Sequence, residues 1–208
     1  MTFHRETITD PMASIAKVVF DRFDEGYYLA GGTALALRLG HRKSIDLDYF
    51  IGKEIDTLHL KEKIFELFPS DTRILFEENN TLWCSIEGVK VSFISRFDPL
   101  LEPVEVVEDF RLAGLKDIVV MKLSAICGRE EYKDYFDLAC LADRADARSW
   151  VSWWRTVYPR VDNTGFIVAL AYVDQMQPVP LDIADRYKSI NVSDALRAAV
   201  KTITDSFA

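Results

Sequence analysis

Asp46 and Asp48 stand two residues apart in "SIDLDYF", directly after Arg42, Lys43 and Ser44, with Gly31, Gly32 and Thr33 a short way upstream. In an extended strand, residues two apart project from the same face, with a rise of about 3.3 Å per residue. Two carboxylates on one face repel each other unless a cation sits between them, and a hard divalent ion with oxygen ligands suits that arrangement. A Gly-Gly pair between a strand and a helix lets backbone amides approach a phosphate, and the helix N-terminus adds a favourable dipole. Thr33 offers a hydroxyl as a further donor. Arg42 and Lys43 lie where their charge can reach nucleotide phosphates. Each piece alone is commonplace, since Gly-Gly turns are mostly structural and an exposed Asp-x-Asp is usually a solvated face. Their order is far more restrictive: strand, Gly-Gly-Thr, short helix, then Arg-x-Ser-x-Asp-x-Asp on a second strand.

The surrounding segments supply those elements. "DPMASIAKVVFDRFDEG" reads as a helix with Asp10 as N-cap, Pro11 in the first turn and Gly26 as stop. "YYLA" reads as a strand ended by Gly31-Gly32, and "TALALRLG" as a short helix stopped by Gly40. "SIDLDYFI" alternates strictly, which predicts a strand with Ile45, Leu47 and Tyr49 in a core and the aspartates on the other face. "DTLHLKEKIFELF" is helical. "RILFEENNTLWCSIEGVKVSFISRF" predicts strands joined by turns at Asn79-Asn80 and Gly88. From Leu115 onward the pattern is helical, over 115–128, 132–144, 147–157, 163–176, 181–189 and 193–206. The expected class is α+β: a mixed α/β core over 1–112, followed by a helical domain over 113–208 that packs against it.

Composition narrows the function classes. The 208 residues carry a net charge of −8, which argues against a protein that coats nucleic acid, though not against one that meets it through a local patch. Arg38, His41, Arg42 and Lys43 form one basic concentration; Lys116, Lys122, Arg129 and Lys133 form a second. No apolar run is long enough to span a membrane, and the N-terminus does not read as a signal peptide. Cys84, Cys127 and Cys140 lie at no metal-ligand spacing and read as buried thiols in a reducing cytoplasm.

"LAGGTALALRLGHRKSIDLDYF", together with "DIVVMKLSAICGREEYKDYFDLACL", resembles the nucleotidyltransferases with a DNA polymerase beta-like core, and within them the AbiEii/AbiGii-type toxin family. The match runs over roughly residues 28 to 141. The resemblance implies a polymerase beta-like fold and metal-dependent nucleotidyl transfer from an NTP. It implies Asp46 and Asp48 as ligands of Mg²⁺ or Mn²⁺, and Gly31, Gly32, Thr33, Arg42 and Ser44 around the nucleotide. It also implies cytoplasmic residence, a cognate antitoxin, often a DNA-binding repressor, and an acceptor such as tRNA. The alternatives are a catalytically silent nucleotide-binding module of the same fold and transfer to a protein hydroxyl.

Helical geometry brings in two more candidates. At 3.6 residues per turn Leu115, Ile118, Val119, Lys122, Ala125, Ile126 and Arg129 share a stripe, so Lys122 sits within an apolar face. Asp134, Asp137, Leu138 and Leu141 share another. The expectation is that Lys122 reaches the nucleotide phosphates and Asp137 completes the catalytic site; the alternative is an ion pair between the two helices, and the two roles are compatible. Polymerase beta-like transferases commonly carry a third carboxylate on a later strand, and Ser92 of "VKVSFI" stands at that position. Three outcomes remain open: one metal, a carboxylate from Glu87 or Asp137, or lost catalysis. Trp150, Trp153 and Trp154 recur at helical spacing and read as core of the helical domain. His4 and His59 receive no role, and His41, beside the basic cluster, reads equally as a solvated loop residue.

Overall fold

Burial alternates without exception along Asp46–Ile51, the strand β2: Leu47, Tyr49 and Ile51 are buried, whereas Asp46, Asp48 and Phe50 are partly exposed. The computed structural model describes residues 2–142 and 144–207. Ile45 departs from the alternation expected of it. It is 74% exposed, because the strand begins only at Asp46 and the backbone of residue 45 is not yet held in the sheet.

The chain divides into two compact units, one of residues 1–99 and 103–113, the other of 100–102 and 114–208. The second unit takes in residues 100–102 because they bind the first turn of its leading helix. The amide of Leu101 donates to Asp117 Oδ1 at 2.7 Å, and Lys116 N donates to Glu102 Oε2 at 3.0 Å.

In the first unit the strands are β1 (Tyr28–Leu29), β2, β3 (Thr72–Glu78), β4 (Thr81–Ile86), β5 (Val89–Ser95), β6 (Glu105–Val107) and β7 (Phe110–Leu112). Among the described residues they form one sheet of order β3-β4-β5-β2-β1-β7-β6. β2·β5 and β1·β7 are parallel pairs, and the other neighbours are antiparallel. The hairpin turns hold Asn80, Glu87 and Gly88 at positive φ (63°, 50° and 78°), as tight β-turns require. The β6–β7 hairpin carries no sequence signal, since three-residue strands are too short to display a period. Beneath β2, Phe93 stacks on Tyr49 at 5.6 Å and on Phe23 at 5.5 Å between ring centroids. That aromatic packing anchors the strand carrying the aspartates.

Helix α1 (Asp10–Arg22) is capped by Thr9, whose hydroxyl accepts from Met12 N, rather than by Asp10. It stops at Arg22, and Gly26 belongs to a later turn in which its amide donates to Asp24. Helices α2 (Gly31–Leu39) and α3 (Thr57–Leu67) complete the unit; Gly40 ends α2 in the left-handed region at φ 61°, where a side chain would be strained.

The second unit holds α4 (Leu115–Gly128), α5 (Tyr132–Ala142), α6 (Ala147–Val157), α7 (Thr164–Ala171) and α8 (Val192–Asp205). The helix expected over 132–144 ends at Ala142, and residue 143 lies outside the described residues. α7 stops early and continues as a 3₁₀ turn over Tyr172–Gln175. The helix expected over 181–189 is a single 3₁₀ turn, Asp185–Tyr187. Between Pro180 and the α8 cap at Asn191 the segment is too short to offset helix nucleation. Trp150 and Trp154 are buried in this unit's core. Cys127 is exposed, whereas Cys84 and Cys140 are buried; burial pushes the Cys84 thiol up to about 12.

Candidate active site

β1 turns directly into α2, and the turn is built against Asp48. The amide of Ala30 donates to the Asp48 carbonyl at 3.0 Å, which carries the sheet bonding up to the helix N-terminus. Gly31 then opens the helix at φ +65°, and a Cβ there would lie 3.1 Å from Asp48 Oδ2. Only glycine tolerates both the conformation and the approach. The first turn of α2 therefore faces the Asp48 carboxylate, and the amides of that turn have no partner further back in the helix. This is the electrostatic setting in which an anion is favoured.

Thr33 and Ser44 hold the other aspartate. The Thr33 hydroxyl lies 2.7 Å from Ser44 Oγ and also bonds the main-chain carbonyl of Asp46. A carbonyl can only accept, so Thr33 donates to Asp46 and accepts from Ser44. Both residues are buried, and both fix the backbone from which Asp46 projects.

Asp48 lies opposite Ser92 in the parallel β2·β5 register, and Ser92 Oγ donates to Asp48 Oδ1 at 2.6 Å. The position at which a third carboxylate is expected thus supplies a hydroxyl donor that orients the second one. Among the described residues Asp46 and Asp48 have no lysine or arginine at ion-pair distance, and no group of three or more His, Cys, Asp or Glu gathers as a metal cage. Two partly exposed carboxylates on one strand face, offering hard oxygen donors and no sulfur or imidazole, nevertheless fit one Mg²⁺ or Mn²⁺. Magnesium is commonly bound through one or two carboxylates, with substrate phosphates and water filling the other positions.

The basic stretch before β2 is not the surface patch that its composition suggests. Arg38, His41 and Arg42 are buried, and Lys43 alone of the four is exposed. Arg38 donates to the Ala113 carbonyl at 3.0 Å and pairs with Glu105 at 2.8 Å. Arg42 Nη1 donates to the Lys43 carbonyl at 3.0 Å.

Lys122 and Asp137 lie in the second unit, on α4 and α5. Lys122 Nζ is 2.5 Å from Asp137 Oδ2 and 2.7 Å from Asp134 Oδ1, and Arg129 Nε reaches Asp134 Oδ2 at 2.9 Å. Both aspartate side chains are fully buried. Burial alone would pull Lys122 down, but the carboxylates of Asp137 and Asp134 outweigh it and hold the amine above the ordinary lysine value. Burial likewise pushes Asp134 up, and the charges of Lys122 and Arg129 overcome it, leaving that carboxyl below its usual range. Asp134 was visible in the sequence as a member of the Asp137 stripe, though its spacing alone does not reveal two cationic partners.

Structural likeness gives the class. The fold is similar to that of a putative nucleotidyltransferase from Helicobacter pylori, at a TM-score of 0.57 and 21% identity, covering 98% of this chain and 94% of that one. It is also similar to MenT4, the nucleotidyltransferase toxin Rv2826c of Mycobacterium tuberculosis H37Rv, at a TM-score of 0.52 and 16% identity over 93% and 82% of the two chains. The α+β architecture is thus a nucleotidyltransferase fold. The particular family follows from sequence: residues 15–152 match the nucleotidyl transferase AbiEii toxin family of type IV toxin–antitoxin systems, and the chain belongs to that family of nucleotidyltransferases. The protein aq_aa25 of Aquifex aeolicus (strain VF5) is 34% identical over 184 residues, 85% of this chain and 88% of that protein. Among the described residues no helix is long and apolar enough to cross a membrane.

Proposed function

We propose that this toxin-family nucleotidyltransferase moves a nucleotide from an NTP to a hydroxyl of an RNA acceptor such as tRNA, with Asp46 and Asp48 holding one Mg²⁺ or Mn²⁺. The observation that carries the proposal is the approach of Asp48 to Gly31, which sets one carboxylate of the strand pair beside the N-terminus of α2. When bound, the ion would supply Lewis-acid polarisation of the α-phosphate and neutralise charge on the substrate. The chain's own groups do the rest. The amides of Gly31 and Gly32 hold triphosphate oxygens, while Arg42 and Lys43 add positive charge to the same region. Thr33 and Ser44 are positioning residues that fix Asp46 through its carbonyl. Ser92 is the positioning residue for Asp48.

In the second unit, the salt links of Lys122 to two buried carboxylates favour a structural role for Lys122 and Asp137 over direct phosphate contact. Family membership supports a cognate antitoxin, for which we propose a DNA-binding repressor.

The test is incubation of the folded protein with each labelled NTP, total tRNA and Mg²⁺. Labelling of RNA by one NTP is the expected result, lost on addition of EDTA. Absence of transfer with all four NTPs overturns the RNA reading, and label on protein instead of RNA moves the acceptor to a protein hydroxyl.

A further inference from the structure

The sheet face that carries Asp46 and Asp48 continues outward over β5, β4 and β3 in two ordered rows. Through the strand registers, Asp48 lies opposite Ser92, Ser92 opposite Trp83, and Trp83 opposite Phe76. Beside that row, Asp46 lies opposite Lys90, Lys90 opposite Ser85, and Ser85 opposite Arg73. With strands about 4.8 Å apart, Phe76 stands roughly 14 Å from β2. One row leads from a carboxylate to aromatic rings; the other leads from a carboxylate to two exposed cations.

A β-bulge makes the aromatic row. The register runs Ile74↔Cys84 and then Phe76↔Trp83, so Leu75 is the extra residue. In an unbroken ladder Phe76 would face the core side with Leu82; the bulge turns it onto the aspartate face, where it is 40% exposed. Trp83 backs it at 4.8 Å between centroids and carries the Lys90 ammonium 4.6 Å from its own ring. Arg73 is largely exposed, with a solvated contact of 3.4 Å to Asp71.

We infer that this face is the track for the single-stranded end of the acceptor RNA, with a nucleobase stacked on Phe76 and phosphates met by Lys90 and Arg73. The inference rests on the function proposed above. An in-line displacement puts the attacking hydroxyl opposite the leaving pyrophosphate. Gly31 and Gly32 follow β1, which flanks β2 on one side, whereas β5, β4 and β3 flank it on the other. If the triphosphate lies against the glycines, the nucleophile must arrive from the β5 side, along these rows. An exposed ring next to a line of cations is how proteins hold single strands without reading their sequence. The face is also polarised, because Glu78, at the Thr81 position of the register, closes its far end with a negative charge. That sends the phosphates along the Lys90–Arg73 row and the bases over the Phe76 row. On a chain of net charge −8, such a local track is what a polyanion needs.

The test is fluorescence anisotropy with a short fluorescein-labelled single-stranded RNA, alongside calorimetry with an NTP, on wild type, Phe76→Ala, Lys90→Ala and Arg73→Ala. All three side chains are exposed, and each variant is expected to fold, as checked by its circular dichroism spectrum. Phe76→Ala should weaken RNA binding about tenfold, within the range for losing one base–aromatic stack. Lys90→Ala and Arg73→Ala should each weaken it several-fold and reduce its salt slope by about 0.7, as for one phosphate contact on a single strand. NTP affinity should change by less than twofold. RNA affinity that is absent in wild type or unaltered in all three variants overturns the inference. A parallel fall in NTP affinity also overturns it, since the rows would then hold the incoming nucleotide's base. RNA binding that depends on these residues without any transfer leaves the track standing and removes the proposed reaction; transfer to RNA with RNA affinity indifferent to all three does the reverse.

Discussion

Two pairs of aspartates lie in this molecule in opposite electrostatic states. Asp134 and Asp137 are wholly buried on a helix, and Lys122 and Arg129 offset their charge at 2.5–2.9 Å. Asp46 and Asp48 are partly exposed on a strand; the Ser92 hydroxyl donates to Asp48, and among the described residues no lysine or arginine lies at ion-pair distance from either. A buried carboxylate without a counter-charge would cost several kcal/mol, so the helix pair must carry its cations within the fold. A half-exposed pair can keep its charge for something that arrives from solution. On the function proposed above, the difference separates a charge-paired cluster within the helical unit from a carboxylate pair that meets a metal ion.

The comparison can be broken most sharply at Asp46. Asp46→Asn should reduce transfer by roughly 10³-fold or more, the upper end for one preorganised electrostatic group. Its melting temperature should stay near wild type, because removal of one of two like charges relieves repulsion. A transfer assay beside a thermal melt checks both halves. In the second unit the signs reverse. Lys122→Met removes the ammonium that bridges two buried carboxylates and should cost about 3–5 kcal/mol of stability, measured by urea unfolding. Combining it with Asp134→Asn and Asp137→Asn should recover part of that loss. An unchanged stability with a weakened nucleotide affinity would instead assign Lys122 to the phosphates.

A smaller effect is expected at Ser92. Ser92→Ala removes the bond to Asp48 and should cost about 1 kcal/mol, with transfer lowered several-fold through a mispositioned carboxylate. Ser92→Asp crowds a third acid against Asp48, so its melting temperature should fall without divalent ions and rise steeply when Mn²⁺ is added.

The smallest effect lies in the pH profile. Asp134 titrates below its unfolded value, so its share of stability is complete above about pH 4 and disappears as pH falls through the folded value. Lys122 titrates above its unfolded value, so its share is complete below about pH 10 and is lost as pH climbs further. Between those limits the cluster is at full strength. The acid limb of the stability curve should be shallower in the triple variant than in wild type.

Much of the site was legible because its signals are local. The period of β2 put both aspartates on one face, and a Gly-Gly pair between strand and helix marked the α2 N-terminus. The turns expected at Asn79-Asn80 and Gly88 delimited three strands, and the structure holds Asn80 and Gly88 at positive φ. What could not be read depends on partners far along the chain. Arg38 looks like part of a basic patch until Glu105 and Ala113 cover it from the opposite end of the unit. Ile45 fits the alternation of β2, yet sheet bonding starts one residue later. The bulge at Leu75, which turns Phe76 outward, leaves no trace in composition. Lys122 was visible as an odd charge in an apolar stripe with Asp137 as its candidate partner; tertiary structure added Asp134 as a second.

The most direct test of the difference between the two pairs is a calorimetric titration of Mn²⁺, with a non-hydrolysable NTP analogue present, into wild type and Asp46→Asn. Wild type is expected to bind one ion, and the variant is expected to lose that binding while its circular dichroism spectrum stays unchanged. Equal Mn²⁺ affinity in the two proteins would contradict the assignment of the half-exposed pair as the metal-holding one.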